Sequence, residues 1–480
     1  MQRLLPLLLT PLVAHAEDEA PDYSKMNVSE VYSTLCSSCH GKNLEGGQGT
    51  SLVDGVWKHG STDNEIFQTI LKGNLDYGMT PWEGILSDKQ IRSLVIFIRE
   101  KEKEARIKGI EFPEPEVGKK VETELENYQL EMVVDDGLKI PWGLAFLPDG
   151  RLLITEKKGT LRIVSADGKL DPKPIADTPE VIVRGQGGLM EVAVHPDYAN
   201  NGWIYLGYTD GWMNEPEKEG KKPVPSTNTT YVRGRIKDGK WVDQELIWKA
   251  DKQFYTTSAH HFGTRLVFDK DYLYFIVGER GANMEAQDIA NPKGKIFRLF
   301  HDGSEPKDNP FVGKPGAPKG LWTLGHRNPQ GMDIDPRDGT LYSTEHGPRG
   351  GDELNIIRPG RNYGWPVISY GMNYNGSPLT DLTEKEGMEQ PVLHWTPSIA
   401  VCGLAFYTGD AFPDWKNDLF VGALKQQEVR RLRLKDQKVV SQEVILKNIG
   451  RVRDVRNGPD GHLYVVLNDP DKIVRLVPAR

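Results

Sequence analysis

From about residue 128 onward, apolar and polar positions alternate in short runs broken by Pro, Asp and Gly, the period-two pattern of half-buried strands. Trp142-Gly143-Leu144-Ala145-Phe146 and Arg151-Leu152-Leu153-Ile154, separated by Pro148-Asp149-Gly150, make one strand–turn–strand unit. The cadence returns at Glu191–Val194 with Trp203–Leu206, at Arg265–Asp269 with Tyr274–Val277, and at Met332–Pro336 with Thr340–Tyr342. It returns again at Leu404–Tyr407 with Asp418–Val421, and at Asp454–Gly461 with Leu463–Val466. Diverged copies about 50 to 70 residues apart predict the blades of a six-bladed β-propeller. A two-sheet sandwich would explain the alternation but not the recurring unit. Leu130 to Val134 are expected to pair into the last blade and close the ring. Before residue 110 the period changes. Ser87-Asp88-Lys89-Gln90 reads as a capping box, and Ile91, Leu94, Val95 and Ile98 follow on one helical face. A second helix carrying Val31, Tyr32 and Leu35 can pack against it. The fold class is therefore an all-β six-bladed propeller, residues 128–480, preceded by a small all-α domain, residues 22–107. Between them 108–127 is charged, carries Pro113 and Pro115, and reads as a linker.

Composition narrows the setting. Arg3, the apolar run Leu4–Val13 and Ala14-His15-Ala16 form a leader, residues 1–16, with cleavage expected after Ala16. That run is too short to span a bilayer and no later stretch is long enough, so no transmembrane segment is expected. The chain is read as exported, soluble and periplasmic. Its net charge of −8 becomes −9 once Arg3 leaves, and with no basic block nucleic acid is excluded as a partner. Fifty glycines and 32 prolines suit a turn-rich β protein.

Two of the three cysteines lie in Cys36-Ser-Ser-Cys39-His40. The C-x-x-C-H spacing is that of covalent haem c attachment, the thiols binding the two vinyl groups and His40 ligating the iron. Met79, in Gly78-Met79-Thr80-Pro81, is expected as the opposite axial ligand, with Met26 as the other candidate. His/Met ligation suits an electron-transfer haem. A zinc half-site would need a second Cys/His pair, and a disulfide framework is excluded because only Cys402 remains. Cys402 reads as a small buried apolar residue. The helical unit resembles a small mono-haem cytochrome c.

The propeller loops are rich in reactive side chains. They include Gly185–Gly188, His260–Arg265, Gly325–Gly331, Glu345–Glu353 and Gly450–Asp454, with Lys425 in a further loop. Arg327, Lys425, Arg451 and Arg453 gather cations where a polycarboxylate could lie. A histidine beside them is a candidate general base.

Gly325-His326-Arg327-Asn328-Pro329-Gln330-Gly331, then Glu345-His346-Gly347-Pro348 and Asp352-Glu353, resemble the signature of the soluble quinoprotein sugar dehydrogenases. This is the pyrroloquinoline quinone (PQQ)-dependent glucose/aldose sugar dehydrogenase family, and the resemblance covers about residues 128–480. It implies a six-bladed propeller that oxidises the C1 hydroxyl of aldose sugars to lactones, with PQQ and Ca2+ as cofactors. His261 then resembles the base that takes the C1 proton, and Arg327 the residue that stabilises charge on the quinone oxygen. Gln186, Asn328, Lys425, Arg451 and Arg453 match cofactor-holding positions. Gly347 and Pro348 match the carbonyls of an active-site calcium, and Glu353 with Tyr363 resembles a second, structural calcium site. The sequence departs from the glucose-oxidising branch at His260, where that branch has an acid; His-Phe-Gly is closer to the broad-specificity aldose branch. The fused haem c would accept the electrons singly and pass them to a downstream cytochrome or oxidase. A ligand-binding propeller without chemistry would have no use for the haem domain. A calcium-dependent propeller hydrolase or lactonase would want carboxylate and Asn side chains around its metal rather than an Arg cluster.

Overall fold

Three capping boxes start the main helices of the N-terminal domain. They open α1 (Val28–Leu35) at Asn27/Glu30, and α3 (Asp63–Lys72), which follows the single turn α2 (Ser37–His40), at Thr62/Glu65. The third opens α4 (Asp88–Ile107) at Ser87/Gln90, where the sequence places it. The computed structural model describes residues 22–108, 115–218 and 220–479; the leader, residues 1–16, lies outside them. Ile91, Leu94, Val95 and Ile98 are buried as the helical spacing requires, but so are Ile96 and Phe97 on another side of α4. A helix apolar on more than one face must be covered on more than one face. Tyr32 packs on Phe97 with ring centroids 5.5 Å apart, and Met372, far along the chain, joins the same apolar cluster.

The remainder is six antiparallel sheets in chain order. They span 141–164, 189–249, 266–324, 329–395, 401–447 and 451–478, numbered here blades 1 to 6. Each expected strand–turn–strand unit is the inner hairpin of one blade, and apolar clusters fill the spaces between neighbouring blades. Blade 6 gains the strand Asn127–Val134, paired antiparallel to Lys472–Pro478. This closes the ring with Tyr128 and Leu130 buried in the seam. Part of the segment read as linker is structured. Lys120–Glu122 adds an edge strand to that blade, and Glu124 meets blade 5 through Arg431 and the Glu443 carboxylate. Its burial pattern is exposed–intermediate–exposed, so no apolar alternation marks it.

At the ring's centre Arg265 binds Glu191 at 2.9 Å and Asp454 at 2.8 Å, and Arg456 binds the same two carboxylates. These charges are removed from water and paired, which ties blades 2, 3 and 6 together beneath the loops. Among the described residues no helix is long and apolar enough to cross a membrane.

Candidate active site

Blade 3 begins just after His261, and the backbone there is unusual. His261 has φ +54, a left-handed conformation rare for a side chain of this size, and its N–H is held by Gln186 Oε1 at 2.9 Å. The ring's Nδ1 is hydrogen-bonded to Glu279, whose carboxylate is fully buried and also accepts from the Asn283 N–H at 2.7 Å. With Nδ1 committed as donor, Nε2 is left as the basic nitrogen. Burial lowers the imidazole's pKa; Glu279 opposes that and Arg327 adds to it. The ring is therefore neutral at ordinary pH. His260 is exposed, with its ring 6.1 Å from that of His261. Glu279, not His260, orients the candidate base. Sequence reading missed Glu279, which lies 18 residues along the chain.

Arg327 and Asn328 lead into the first strand of blade 4 and are buried. Arg327 donates to the carbonyls of His346 at 3.1 Å and Gly347 at 2.8 Å, and its backbone N–H is bonded to Glu345. Its guanidinium lies 5.1 Å from the Trp365 ring and 6.0 Å from Tyr374, an exposed aromatic at the rim. Asn328 Oδ1 accepts from the Gly263 N–H at 3.1 Å and so joins the base's loop to blade 4. Burial first, and Arg327 after it, push the His346 imidazole down to about 3.

One cleft brings together Gln186, Asn328, Arg451 and Arg453, over the buried apolar cluster Trp142, Met190 and Phe262. Arg453 lies 3.7 Å above Trp142, with Nε on Asn468 at 3.1 Å and an amino group 3.8 Å from the Cys402 thiol, which is buried as expected. Lys425 is exposed on the rim, one residue past Leu424 in the cleft wall. Flat apolar surfaces with two guanidinium groups in the wall, Arg451 and Arg453, fit an aromatic polycarboxylate such as PQQ. Arg327 Nε and Trp365 Nε1 are buried without a partner among the described residues, as befits atoms whose complement is a bound group.

Beside Arg327, a hollow is lined by Glu345, Gly347, Pro348, Glu353 and Tyr363. The Gly347 carbonyl already accepts from the Arg327 guanidinium, and Glu345 and Glu353 are directly opposed on neighbouring strands. Burial, then Glu345, pushes the Glu353 carboxyl up to about 8. A hard cation fits such oxygen donors. The Tyr363 hydroxyl is engaged elsewhere, donating to the Ile356 carbonyl at 2.6 Å and accepting from the Arg358 N–H at 2.8 Å, which leaves its carbonyl as the usable oxygen. Among the described residues no group of three or more His, Cys, Asp or Glu side chains forms a metal cluster.

In the helical domain, Cys36, His40 and Met79 line one apolar hollow with Tyr32, Trp57, Trp82, Leu94 and Ile98, and Cys39 follows on the same turn as His40. His40 Nδ1 pairs with the Thr50 carbonyl at 2.9 Å, which frees Nε2 for iron. A Cβ on Gly49 would come within 2.8 Å of the His40 ring, so only glycine leaves the ring its place. Burial pushes the Cys36 thiol up to about 12. Met26 packs at the edge of the core and not in the hollow's wall.

Comparison with known proteins agrees with both halves. The chain is 42% identical over 344 residues to Aldose sugar dehydrogenase YliI of Escherichia coli, covering 70% of this chain and 89% of the relative. The crystal structure of the soluble aldose sugar dehydrogenase of Escherichia coli in its apo form superposes with a TM-score of 0.65 at 38% identity, over 73% of this chain and 99% of that one. The PQQ-bound aldose sugar dehydrogenase of Streptomyces coelicolor does so with a TM-score of 0.58 at 26% identity, over 73% and 98%. Residues 25–98 match the family described as Cytochrome C oxidase, cbb3-type, subunit III, and mark an N-terminal cytochrome c domain. Residues 138–475 match the family described as Glucose / Sorbosone dehydrogenase, and to that family the chain belongs.

Proposed function

We propose that this protein is a quinoprotein oxidoreductase that oxidises the C1 hydroxyl of aldose sugars to the lactone, using PQQ and Ca2+ and delivering the electrons to its own haem c. The observation that carries this reading is the His261–Glu279 pair, electrostatically coupled to Arg327 and next in sequence to Phe262 in the wall of the cleft that holds Arg451 and Arg453. An oriented neutral imidazole next to a guanidinium is machinery for moving a proton away from a centre that loses hydride. A propeller that only bound ligands would have no need of it.

The residues divide the work as follows. Glu279 fixes the tautomer of His261, and Nε2 takes the proton of the C1 hydroxyl. Arg327 supplies positive charge where the hydride acceptor's oxygen becomes negative. Lys425, Arg451 and Arg453 hold the cofactor's carboxylates, with Gln186 and Asn328 completing its polar contacts. Gly347 and Pro348 offer carbonyls to the active-site calcium, and Glu353 with the Tyr363 carbonyl to the second. Bound PQQ supplies a two-electron hydride acceptor, and calcium polarises it as a Lewis acid. Cys36 and Cys39 would bind the haem covalently, His40 and Met79 would ligate its iron, and the haem would supply a one-electron relay to an external carrier. Export to the periplasm with cleavage after Ala16 completes the proposal.

The test is reconstitution. Protein loaded with PQQ and calcium is mixed with a panel of aldoses, and haem reduction is followed at its α band. Reduction that needs sugar, quinone and calcium together is expected. Equal reduction without quinone would end the proposal.

A further inference from the structure

Blade 4 presents two segments at its rim that are bridged to each other. Arg349 and Met372 exchange backbone hydrogen bonds at 2.9 and 3.0 Å. The first segment runs on directly from Gly347 and Pro348, and the second carries Tyr374, which faces Arg327. Both segments are gripped by the haem domain. Glu100 of α4 takes Arg349 in a bidentate ion pair, at 3.0 and 3.1 Å to Nε and 2.5 Å to the terminal nitrogen. Its two side chains are only 27% and 12% exposed.

Further contacts follow the same line. The Val28 N–H at the start of α1 donates to the Gly376 carbonyl at 3.0 Å, and Asp381 accepts from the Lys89 N–H at 3.1 Å and, through its carbonyl, from Arg92 at 3.2 Å. Met372, fully buried, belongs to the haem domain's apolar cluster, and a Cβ on Gly350 would lie 3.4 Å from Ile96. This accounts for the burial of Ile96 on α4. Ile98 and Leu94, on the other side of the helix, line the haem hollow. One helix thus separates the haem domain's hollow from the Gly347–Gly351 loop that would hold the quinone's metal.

We propose that the Glu100–Arg349 pair seats the haem domain on the quinone rim, and that this seat, rather than the tether, sets the rate at which electrons reach the haem. The inference rests on the dehydrogenase reading above. Each sugar oxidised yields two electrons and two protons. A haem held by Cys36, Cys39, His40 and Met79 would take these electrons one at a time, ferric to ferrous, with an external one-electron carrier oxidising it between the two, and the protons would leave to solvent.

The experiment uses the full chain. Glu100→Arg sets two like charges against each other, and sugar-driven haem reduction in a stopped-flow mix should slow roughly tenfold or more, since like-charge juxtaposition at a contact is costly. The exchanged pair Glu100→Arg with Arg349→Glu should recover most of the rate. Oxidation of sugar with a small dye that takes electrons from the quinone directly should not change in Glu100→Arg. In quinone-free protein, small-angle scattering should show Glu100→Arg expanded and the exchanged pair compact again. A wild-type haem reduction rate in Glu100→Arg, or an exchanged pair no faster than the single variant, overturns the proposal. Failure of sugar to reduce the wild-type quinone would instead remove the dehydrogenase reading beneath it.

Discussion

His261 serves as a base only while its ring is neutral and turned, and both conditions are met by neighbours that the local sequence does not reveal. Removing the base should lower the rate of quinone reduction by about 10²–10⁴-fold. His261→Ala should still bind quinone, because Lys425, Arg451 and Arg453 hold the carboxylates; single-turnover reduction by sugar against cofactor titration separates the two. Glu279→Gln loses the carboxylate that fixes the tautomer and should cost about 10–100-fold, whereas His260→Ala, on an exposed ring, should cost less. If His260→Ala is the most damaging of the three, the assignment is wrong. Burial holds the His261 pKa below its ordinary 6.5, so the neutral form persists as pH falls through that value. The acid limb of the rate with limiting sugar should therefore have its midpoint below 6.5; a midpoint above 6.5 would contradict the buried geometry. The base itself was legible from its motif. Glu279 was not, because only the hairpin of blade 3 brings it back to His261.

The loop Gly347–Gly351 is held as an element by Asp352, at the head of the following strand. Its Oδ1 accepts from the Gly347 N–H at 3.0 Å, and Oδ2 from the Ser398 hydroxyl at 2.8 Å and the Ala400 N–H at 2.6 Å. Asp352→Ala would strand several buried donors at about 1–3 kcal/mol each. Urea unfolding should show the loss, and a Glu353→Ala variant compared alongside should lose less. A cation between Glu345 and Glu353 should also stabilise the fold by mass action. At a hundredfold over its dissociation constant, calcium would raise stability by about 2.7 kcal/mol. Calorimetry of quinone-free protein should thus show a melting temperature that falls on chelation and is restored by calcium; indifference to chelation would argue against the site. The Glu-His-Gly-Pro run and the helical period of α4 could be read locally. The far arm of the Asp352 clamp and the contact of α4 with blade 4 could not, since Ser398 and Ala400 lie 46 and 48 residues from Asp352 and Arg349 lies in the other domain.

Across the whole molecule, the six-fold cadence was readable because each blade repeats a local hairpin, while the strand Lys120–Glu122 was not, being short and charged, with only Val121 packed against the apolar cluster of the seam. The seam is the place where the ring depends on distant residues. A chain beginning at residue 115 should fold as a propeller. One beginning at 135 lacks the strand that buries Tyr128 and Leu130, exposes Lys472–Pro478 as an open edge, and should aggregate. Size-exclusion chromatography of the two would decide it. That closure also dictates an order of events in time. Glu131 and Arg475, paired across the seam, are 344 residues apart, so the first strand made must wait for the last one. The haem domain, complete within the first quarter of the chain, can fold and take its haem while the blades are still being made. Contacts so far apart in sequence form slowly. Fluorescence from Trp415, which packs on Tyr128 in the seam, should accordingly lag behind the haem signal during refolding and be the first to change when the protein starts to come apart.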